Sequence, residues 1–126
     1  MDADLRTVVT GGGTGGEGIQ LWDLRNLTQP FCKINWSKSA AGEPMNRAFN
    51  SVKFIPNAGM VVAACTDDMP AKAFSFKYNG ENALAQEFGG VQRSCFTCDV
   101  SRDGTLVALG DYNGRVQLND VSYIYL

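Results

Sequence analysis

Three groups of residues have types and spacings that could support chemistry. The segment 11–16 (GGGTGG) follows an apolar stretch and satisfies the GxGxxG pattern whose backbone amides cradle a dinucleotide phosphate. Cys95 and Cys98 form a CxxC pair, which is the spacing of redox thiols and half of a zinc site. Asp67 and Asp68 offer adjacent carboxylates of the kind that bind calcium. Each of these chemistries requires a particular structural element around it.

The glycine segment lacks the helix that a dinucleotide site needs. Such a site binds the pyrophosphate at the N-terminus of a helix, whereas residues 19–21 (IQL) alternate between apolar and polar side chains, as in a strand. No strand–helix–strand pattern follows. We therefore interpret residues 11–18 as a wide hairpin loop. A nucleotide-binding or small-molecule enzyme that uses this loop stays open as an alternative.

The other two groups also lack what their chemistry requires. The chain contains no histidine, and Cys32 and Cys65 stand in no paired spacing, so a zinc site would be poorly arranged. We interpret all four cysteines as buried thiols that act as small apolar residues. Asp67 and Asp68 lack further spaced oxygen ligands. The absence of histidine excludes Ser/His/Asp and Cys/His catalysis within this chain, whereas carboxylate or cysteine chemistry stays open. No pair of acidic residues is placed to face another across a cleft, and we expect no catalytic residue, no metal and no cofactor.

The composition is that of one ordinary globular domain. The chain has 126 residues, of which 44% are hydrophobic and 19% are charged. A net charge of -2 leaves no basic excess for a phosphate backbone, which argues against nucleic acid as the main partner. No apolar run approaches the roughly 18 residues of a membrane span. The first residues (MDADLR) are acidic where a secretory signal is basic, so we expect an intracellular protein without membrane contact.

Stretches of similar pattern recur about 45 residues apart along the chain. Residues 49–57 and 95–103 carry apolar side chains at the same places, and both stretches end in a turn. Residues 18–24 align with residues 115–121 at a distance of 97 residues, close to two such periods. The sequence therefore contains three copies of one unit, the first of them truncated.

Each copy divides into short strands separated by turn residues. The second strands of the last two copies start at Gly59 and Gly104, which we align with each other. The predicted strands are 7–10, 19–24 and 31–36 in the first copy, 51–54, 60–65, 72–76 and 83–87 in the second, and 95–100, 106–110, 116–121 and 122–126 in the third. The third strand of the second copy has two registers, with either Phe74 or Phe76 at the position of Leu118.

The pattern resembles that of the WD-repeat β-propeller family. Residues 9–12 (VTGG) followed by residues 19–23 (IQLWD) look like the second and third strands of a blade, with Trp22-Asp23 as the dipeptide that names the family. Residues 101–104 (SRDG) are similar to the Ser-Pro-Asp-Gly turn of the family. The resemblance implies an all-β, partial β-propeller of about three four-stranded antiparallel blades, the first lacking a strand. We place the first blade at about 4–37, a linker loop at 38–48, and the other two blades at about 49–90 and 93–126.

The chain departs from the family in the polar network of each blade. Without histidine, the Gly-His pair of the family is absent from every copy. Thr10 and Trp22 match two of the four network positions in the first copy. In the third copy Asn119 stands at the Trp position and Asn113 replaces the turn Asp, whereas in the second copy neither position is recognisable. We therefore expect the stability to come mostly from apolar packing between neighbouring blades.

The number of blades raises the question of closure. Closed propellers have roughly four to eight blades, and an open arc exposes two apolar faces. We expect this chain to be part of a longer propeller or to complete a ring with copies of itself or another subunit. The resemblance implies a non-enzymatic scaffold that binds proteins through the loops at the blade ends, with a purely structural subunit of a large assembly as the alternative. The candidate partner-binding loop residues are Lys38, Glu43, Met45, Arg47, Asp67 and Asp68.

Overall fold

The structure is a computed structural model. It describes residues 6–13, 18–38, 40–41, 44–45, 48–65, 71–76, 84–89 and 95–122, with the backbone only at residues 37, 38, 44 and 45. Within these ranges the regular elements are strands, and no helix is long and apolar enough to cross a membrane. In chain order the strands are β1 (Thr7–Gly11), β2 (Ile19–Asp23), β3 (Cys32–Ile34), β4 (Ser37–Lys38), β5 (Pro44–Met45), β6 (Phe49–Ile55), β7 (Met60–Cys65), β8 (Ala71–Ser75), β9 (Leu84–Phe88), β10 (Cys95–Val100), β11 (Leu106–Asp111) and β12 (Val116–Asp120).

Three antiparallel sheets make up most of the molecule. The first has the order β1-β2-β3, the second β6-β7-β8-β9 and the third β10-β11-β12. We call these sheets blades 1, 2 and 3. Consecutive strands pair antiparallel in each blade. The all-β prediction is confirmed for the described residues.

The turn between β10 and β11 shows how polar residues set these connections. The Asp103 carboxylate accepts hydrogen bonds from the Ser101 hydroxyl at 2.7 Å, the Thr105 hydroxyl at 2.7 Å and the Thr105 amide at 3.0 Å. These donors lower the pKa of Asp103 to about 2. Gly104 follows with a φ of 74°, a backbone conformation that glycine adopts without steric cost.

Neighbouring blades pack face to face, in chain order. In blade 2, Val61 and Ala63 lie in an apolar cluster with residues of blade 1, while Val62 and Ala64 lie in a second cluster with residues of blade 3. We call the face of a blade toward the preceding blade its back face, and the face toward the following blade its forward face. Because blade 2 is covered on both faces, β8 is buried along its whole length.

Each interface has its own apolar cluster. Between blades 1 and 2 the cluster contains Ile19, Leu21, Cys32, Ile34, Trp36, Val61, Ala63, Cys65 and Phe74. Between blades 2 and 3 it contains Ile55, Ala58, Val62, Ala64, Ala71, Ala73, Phe88, Cys95, Cys98, Val107, Leu109 and Val121. The stacking of the blades therefore buries the apolar core of the described residues.

Lys72 is buried at the interface between blades 1 and 2 and makes polar contacts there. The Lys72 ammonium donates a hydrogen bond to the Trp36 carbonyl at 3.2 Å and lies 4.4 Å from the centroid of the Trp36 ring. Glu87 is 3.8 Å from the same ammonium, but its side chain is exposed. The hydrogen bond and the cation–π contact compensate for burial of the charge.

The observed pairing corrects the alignment of the second and third copies. Val61 pairs with Phe54, and Val107 pairs with Val100, so equivalent positions lie 46 residues apart. Gly59 is therefore equivalent to Thr105 and not to Gly104. Both hairpin loops hold four residues, but they place the left-handed glycine at different positions, with φ of 65° at Gly59 and 74° at Gly104. Glycine alone is a poor marker of register.

The register of β8 differs from both predicted alternatives. Ala73 pairs with Val62 in the same way that Leu118 pairs with Ala108, so Ala73 stands at the position of Leu118. The prediction of Phe74 or Phe76 at that position is wrong. Phe74 instead occupies the position that Trp22 has in blade 1, and it packs edge-on against Trp36 with ring centroids 5.8 Å apart.

Two further predictions concern the connections. The sequence predicts a loop at residues 38–48, but β4 and β5 pair there as a short antiparallel ribbon. The predicted last strand, 122–126, lies outside the described residues except for Ser122, which is not in a strand. The predicted boundaries of the copies also pass through residues that the structure does not describe, and they stay predictions.

Candidate functional site

The connections that were predicted to bind a partner start or finish at one end of the three blades. Strands β1, β7 and β11 end there, and β6, β10 and β12 begin there, because the strands of each blade are antiparallel. We call this the loop end of the molecule. The connections from β1 to β2, from β7 to β8, and into β6 and β10 all start or finish at it.

In the described residues, the glycine segment at the loop end allows blades 1 and 2 to pack closely. The Gly12 amide donates to the Gly18 carbonyl at 3.0 Å, and the Gly12 carbonyl accepts from the Phe49 amide at 3.1 Å, which links blade 1 to blade 2. A Cβ at Gly11 would lie 2.8 Å from the Phe49 Cβ, so only glycine fits there. The segment continues into strand β2 and not into a helix, so the described residues lack the helix N-terminus of a dinucleotide site.

The side chains predicted to bind a partner are mostly beyond what the structure describes. Glu43, Arg47, Asp67 and Asp68 lie outside the described residues. Lys38 and Met45 lie in the short ribbon of β4 and β5, where only the backbone is described.

An exposed aromatic pair marks the loop end of blade 3. Phe96 and Tyr112 stack with ring centroids 5.6 Å apart and an interplanar angle of 15°. The two side chains are 52% and 64% exposed, respectively. The sequence does not predict this pair, because the strand and the turn that bring the rings together are separate in sequence. An irregularity in the pairing of β10 between Cys95 and Thr97 accompanies the outward position of Phe96.

A carboxylate holds the turn that carries Tyr112. The Asp111 side chain accepts hydrogen bonds from the amides of Asn113 and Arg115, both at 2.9 Å. Gly114 completes the turn with a φ of 77°. The side chain of Asn113, the predicted turn residue, is exposed, and Asp111 is the residue that organises the turn. Tyr112 is thereby presented from a fixed backbone.

The predicted blade positions make local contacts. The Trp22 indole N–H donates to the Thr10 hydroxyl at 3.1 Å. The Arg25 guanidinium pairs with Asp23 at 2.7 Å and lowers the pKa of Asp23 to about 2. In blade 3, the Asn119 amide oxygen accepts from the Gln117 side chain at 2.9 Å.

The thiols and carboxylates do not assemble a reactive centre among the described residues. All four cysteines are buried, and none of them forms a disulfide. Burial raises the pKa of Cys98 to about 11 and also raises the pKa of Cys95, so both members of the CxxC pair are protonated at neutral pH. In the described ranges, no three metal-ligating side chains lie together.

Comparison with known proteins gives matches by structure alone. No family model and no curated protein sequence matches the chain. The chain is similar to the computationally designed Ika4 protein, with 18% identity and a TM-score of 0.64 over 93% of this chain and 61% of that one. It is similar to the Dos1 propeller, with 16% identity and a TM-score of 0.67 over 97% of this chain and 29% of that one. It is also similar to a chain of the Mitotic Checkpoint Complex, with 14% identity and a TM-score of 0.71 over 92% of this chain and 32% of that one.

These matches identify the fold. The chain spans less than two thirds of each of the three proteins. At such low identity the likeness shows architecture, which agrees with three face-to-face antiparallel sheets in chain order. The chain therefore has an all-β, partial β-propeller fold of three blades, with four strands in blade 2 and three strands each in blades 1 and 3 among the described residues.

Proposed function

We propose that this protein is a non-enzymatic protein-interaction scaffold of the WD-repeat type that binds a protein partner at its loop end. The observation that carries the proposal is the exposed stack of Phe96 and Tyr112 at that end. The propeller fold supports it, since one structural neighbour is described as part of a complex. The proposal includes an intracellular location, in keeping with four buried cysteines that form no disulfide. It also includes the absence of a membrane or nucleic-acid partner.

An exposed aromatic pair favours a protein partner for energetic reasons. Aromatic side chains dominate binding hot spots because they bury a large area at a low cost in conformational entropy. Stacking already restricts Phe96 and Tyr112, and the Asp111 carboxylate fixes the turn. Little ordering remains to be lost on binding. We expect each ring to contribute about 2 kcal/mol to binding, which corresponds to roughly 30-fold in affinity.

The two alternative functions are a purely structural subunit and an enzyme. A purely structural subunit of a larger assembly would be covered by neighbours on many surfaces and would have no preferred partner site. An enzyme built on residues 11–18 has less support, because a strand follows the glycines.

Site-specific photocrosslinking tests the proposal. A photoreactive benzophenone amino acid at position 112 is compared with the same amino acid at position 102, which lies exposed in the turn at the opposite end of blade 3. We expect one or a few defined proteins to be captured from position 112, and Phe96→Ala to reduce the capture strongly. Equal capture at both positions would favour the structural subunit. No capture at position 112 would contradict binding at the loop end.

A further inference from the structure

Apolar side chains on the forward face of blade 3 are exposed, whereas the side chains at the equivalent positions of blades 1 and 2 are buried. Leu118 is 68% exposed and Val116 is 75% exposed. Their equivalents in blade 1 are Leu21 and Ile19, which blade 2 covers completely. In blade 2 the equivalents are Ala73 and Ala71, which blade 3 covers completely. A following blade thus buries these two positions in blades 1 and 2, and they are exposed in blade 3.

The shape of this face also fits a packing partner. Leu106, Ala108 and Leu118 line a shallow depression of about 240 Å³. In blade 2, the positions equivalent to Ala108 and Leu118 share a cluster with Val107 and Val121 on the back face of blade 3. The surface that covers a forward face inside this molecule is therefore known: it is the back face of another blade.

The back face of blade 1 is the matching open surface. It presents Val8, Trp22 and Leu24, of which Leu24 is exposed and the other two are half-buried. By the strand pairing, Val8 is equivalent to Val107, and Leu24 is equivalent to Val121. Those two valines are fully buried against blade 2. Blade 1 therefore retains apolar residues at the positions that cover a forward face elsewhere.

The charges of the two open faces are complementary. Asp99 and Asp120 lie on the forward face of blade 3, because Asp99 pairs with Ala108 and Asp120 pairs with Leu106. Lys33 lies on the back face of blade 1, because it pairs with Gln20, which lies opposite Thr10. Opposite charges favour docking of the forward face on the back face and oppose the docking of two forward faces.

From these observations we propose that two copies of this chain assemble head to tail, with the back face of blade 1 of each copy covering the forward face of blade 3 of the other. Each contact repeats the forward-to-back packing that joins blades 1, 2 and 3. A head-to-tail contact produces a closed ring when the rotation closes and an open filament when it does not. Two chains supply six blades, which lies within the range of about four to eight found in closed propellers. The proposal does not depend on partner binding at the loop end.

The oligomeric state in solution tests this proposal. Sedimentation equilibrium of the wild-type chain is expected to give about 27 kDa, twice the 13.6 kDa of one chain. Leu118→Arg replaces an apolar side chain by a larger, charged one in both contacts of the dimer, and we expect at least 100-fold weaker dimerisation. Leu24→Glu is expected to weaken it in the same way. Both leucines are exposed in the single chain, so neither substitution should disturb its fold.

Mixing the two variants tests the head-to-tail arrangement. In a mixed dimer, one contact is wild type, and the other joins the arginine introduced by Leu118→Arg in one copy to the glutamate introduced by Leu24→Glu in the other. These opposite charges form an ion pair across the second contact. We expect the mixture to recover the dimer, whereas two like faces docked together would not be rescued. Leu84→Arg is the control, because Leu84 is an exposed leucine on the outer strand of blade 2, away from both open faces.

Several sedimentation results would overturn the proposed head-to-tail pair. A wild-type chain that is monomeric at tens of micromolar, or that grows into larger multimers, overturns the closed pair. So does a dimer that survives Leu118→Arg and Leu24→Glu, or a mixture that stays monomeric. If circular dichroism shows either variant to be unfolded, Leu118→Gln and Leu24→Gln are each compared alone with the wild type, and we expect both to dimerise more weakly. Phe96→Ala is expected to leave the dimer unchanged, which separates this proposal from the binding proposal.

Discussion

Replacing Gly11 by alanine tests the close approach of blades 1 and 2. The new Cβ would lie 2.8 Å from the Phe49 Cβ and 2.9 Å from a Val52 methyl group. The Phe49 Cβ is attached directly to the backbone, so relief requires β1 and β6 to move apart by several tenths of an ångström. Overpacking of this kind costs about 1–3 kcal/mol.

Gly13→Ala is the matched control for this prediction. A Cβ at Gly13 meets no atom within 4 Å, and neither glycine has a positive φ. Both substitutions reduce the conformational freedom of the unfolded chain by a similar amount, which by itself stabilises by about 0.4–1 kcal/mol. The difference between the two variants therefore reports the overpacking alone.

Equilibrium unfolding in urea measures that difference. We expect Gly11→Ala to unfold at a lower urea concentration than the wild type, and Gly13→Ala at the same or a slightly higher one. The gap in unfolding free energy should be about 1–3 kcal/mol. A gap below about 0.5 kcal/mol, at equal slopes, would refute the close packing of β1 on β6.

Three further predictions follow from other contacts. Lys72→Ala removes the hydrogen bond to Trp36 and the cation–π contact, so it should cost about 2 kcal/mol or more in urea unfolding. Glu87→Ala should cost less than about 1 kcal/mol because that carboxylate is exposed and 3.8 Å away, and equal costs would contradict this account. A thiol-specific reagent at pH 8 should modify Cys98 only after unfolding, since burial raises its pKa to about 11; fast labelling of the native chain would be the opposite result. The Asp103 carboxylate, with its pKa lowered from 3.8 to about 2, stabilises the turn above about pH 4 and loses this effect as the pH falls toward 2. The melting temperature of Asp103→Ala should therefore lie below that of the wild type at pH 7 and meet it near pH 2, whereas a gap independent of pH would show that the carboxylate is not responsible.

Local sequence patterns were sufficient to predict most strands. Alternating apolar residues predicted β10 at Cys95–Val100, and a continuous apolar run predicted β7 at Met60–Cys65, as observed. Turn residues separate these strands in the sequence as they do in the structure. Elements of this kind depend on local chemistry, which one sequence contains in full.

The register of β8 could not be predicted in the same way. Its five residues (AKAFS) are all buried, because blades 1 and 3 cover both faces of blade 2. A strand buried on both faces shows no alternation that would fix its register. The pairing of Ala73 with Val62 follows from the tertiary structure, and it places Phe74 at the position of Trp22.

The candidate site was predicted only as a region. The repeat pattern indicated the connections at the loop end, but not the stack of Phe96 on Tyr112, because that contact joins a strand irregularity to a separate turn. In the same way, composition predicts that blade faces need covering, whereas the exposure of Leu118 requires the observed order of the blades.

Equivalent positions are covered by a following blade in blades 1 and 2 and are open in blade 3. Hydroxyl-radical footprinting read by mass spectrometry compares Leu21 with Leu118 under one set of conditions. The sample is diluted until its sedimentation mass is that of a single chain. We expect strong oxidation at Leu118 and protection at Leu21, and equal protection of both residues in the monomer would show that the forward face of blade 3 is covered within one chain.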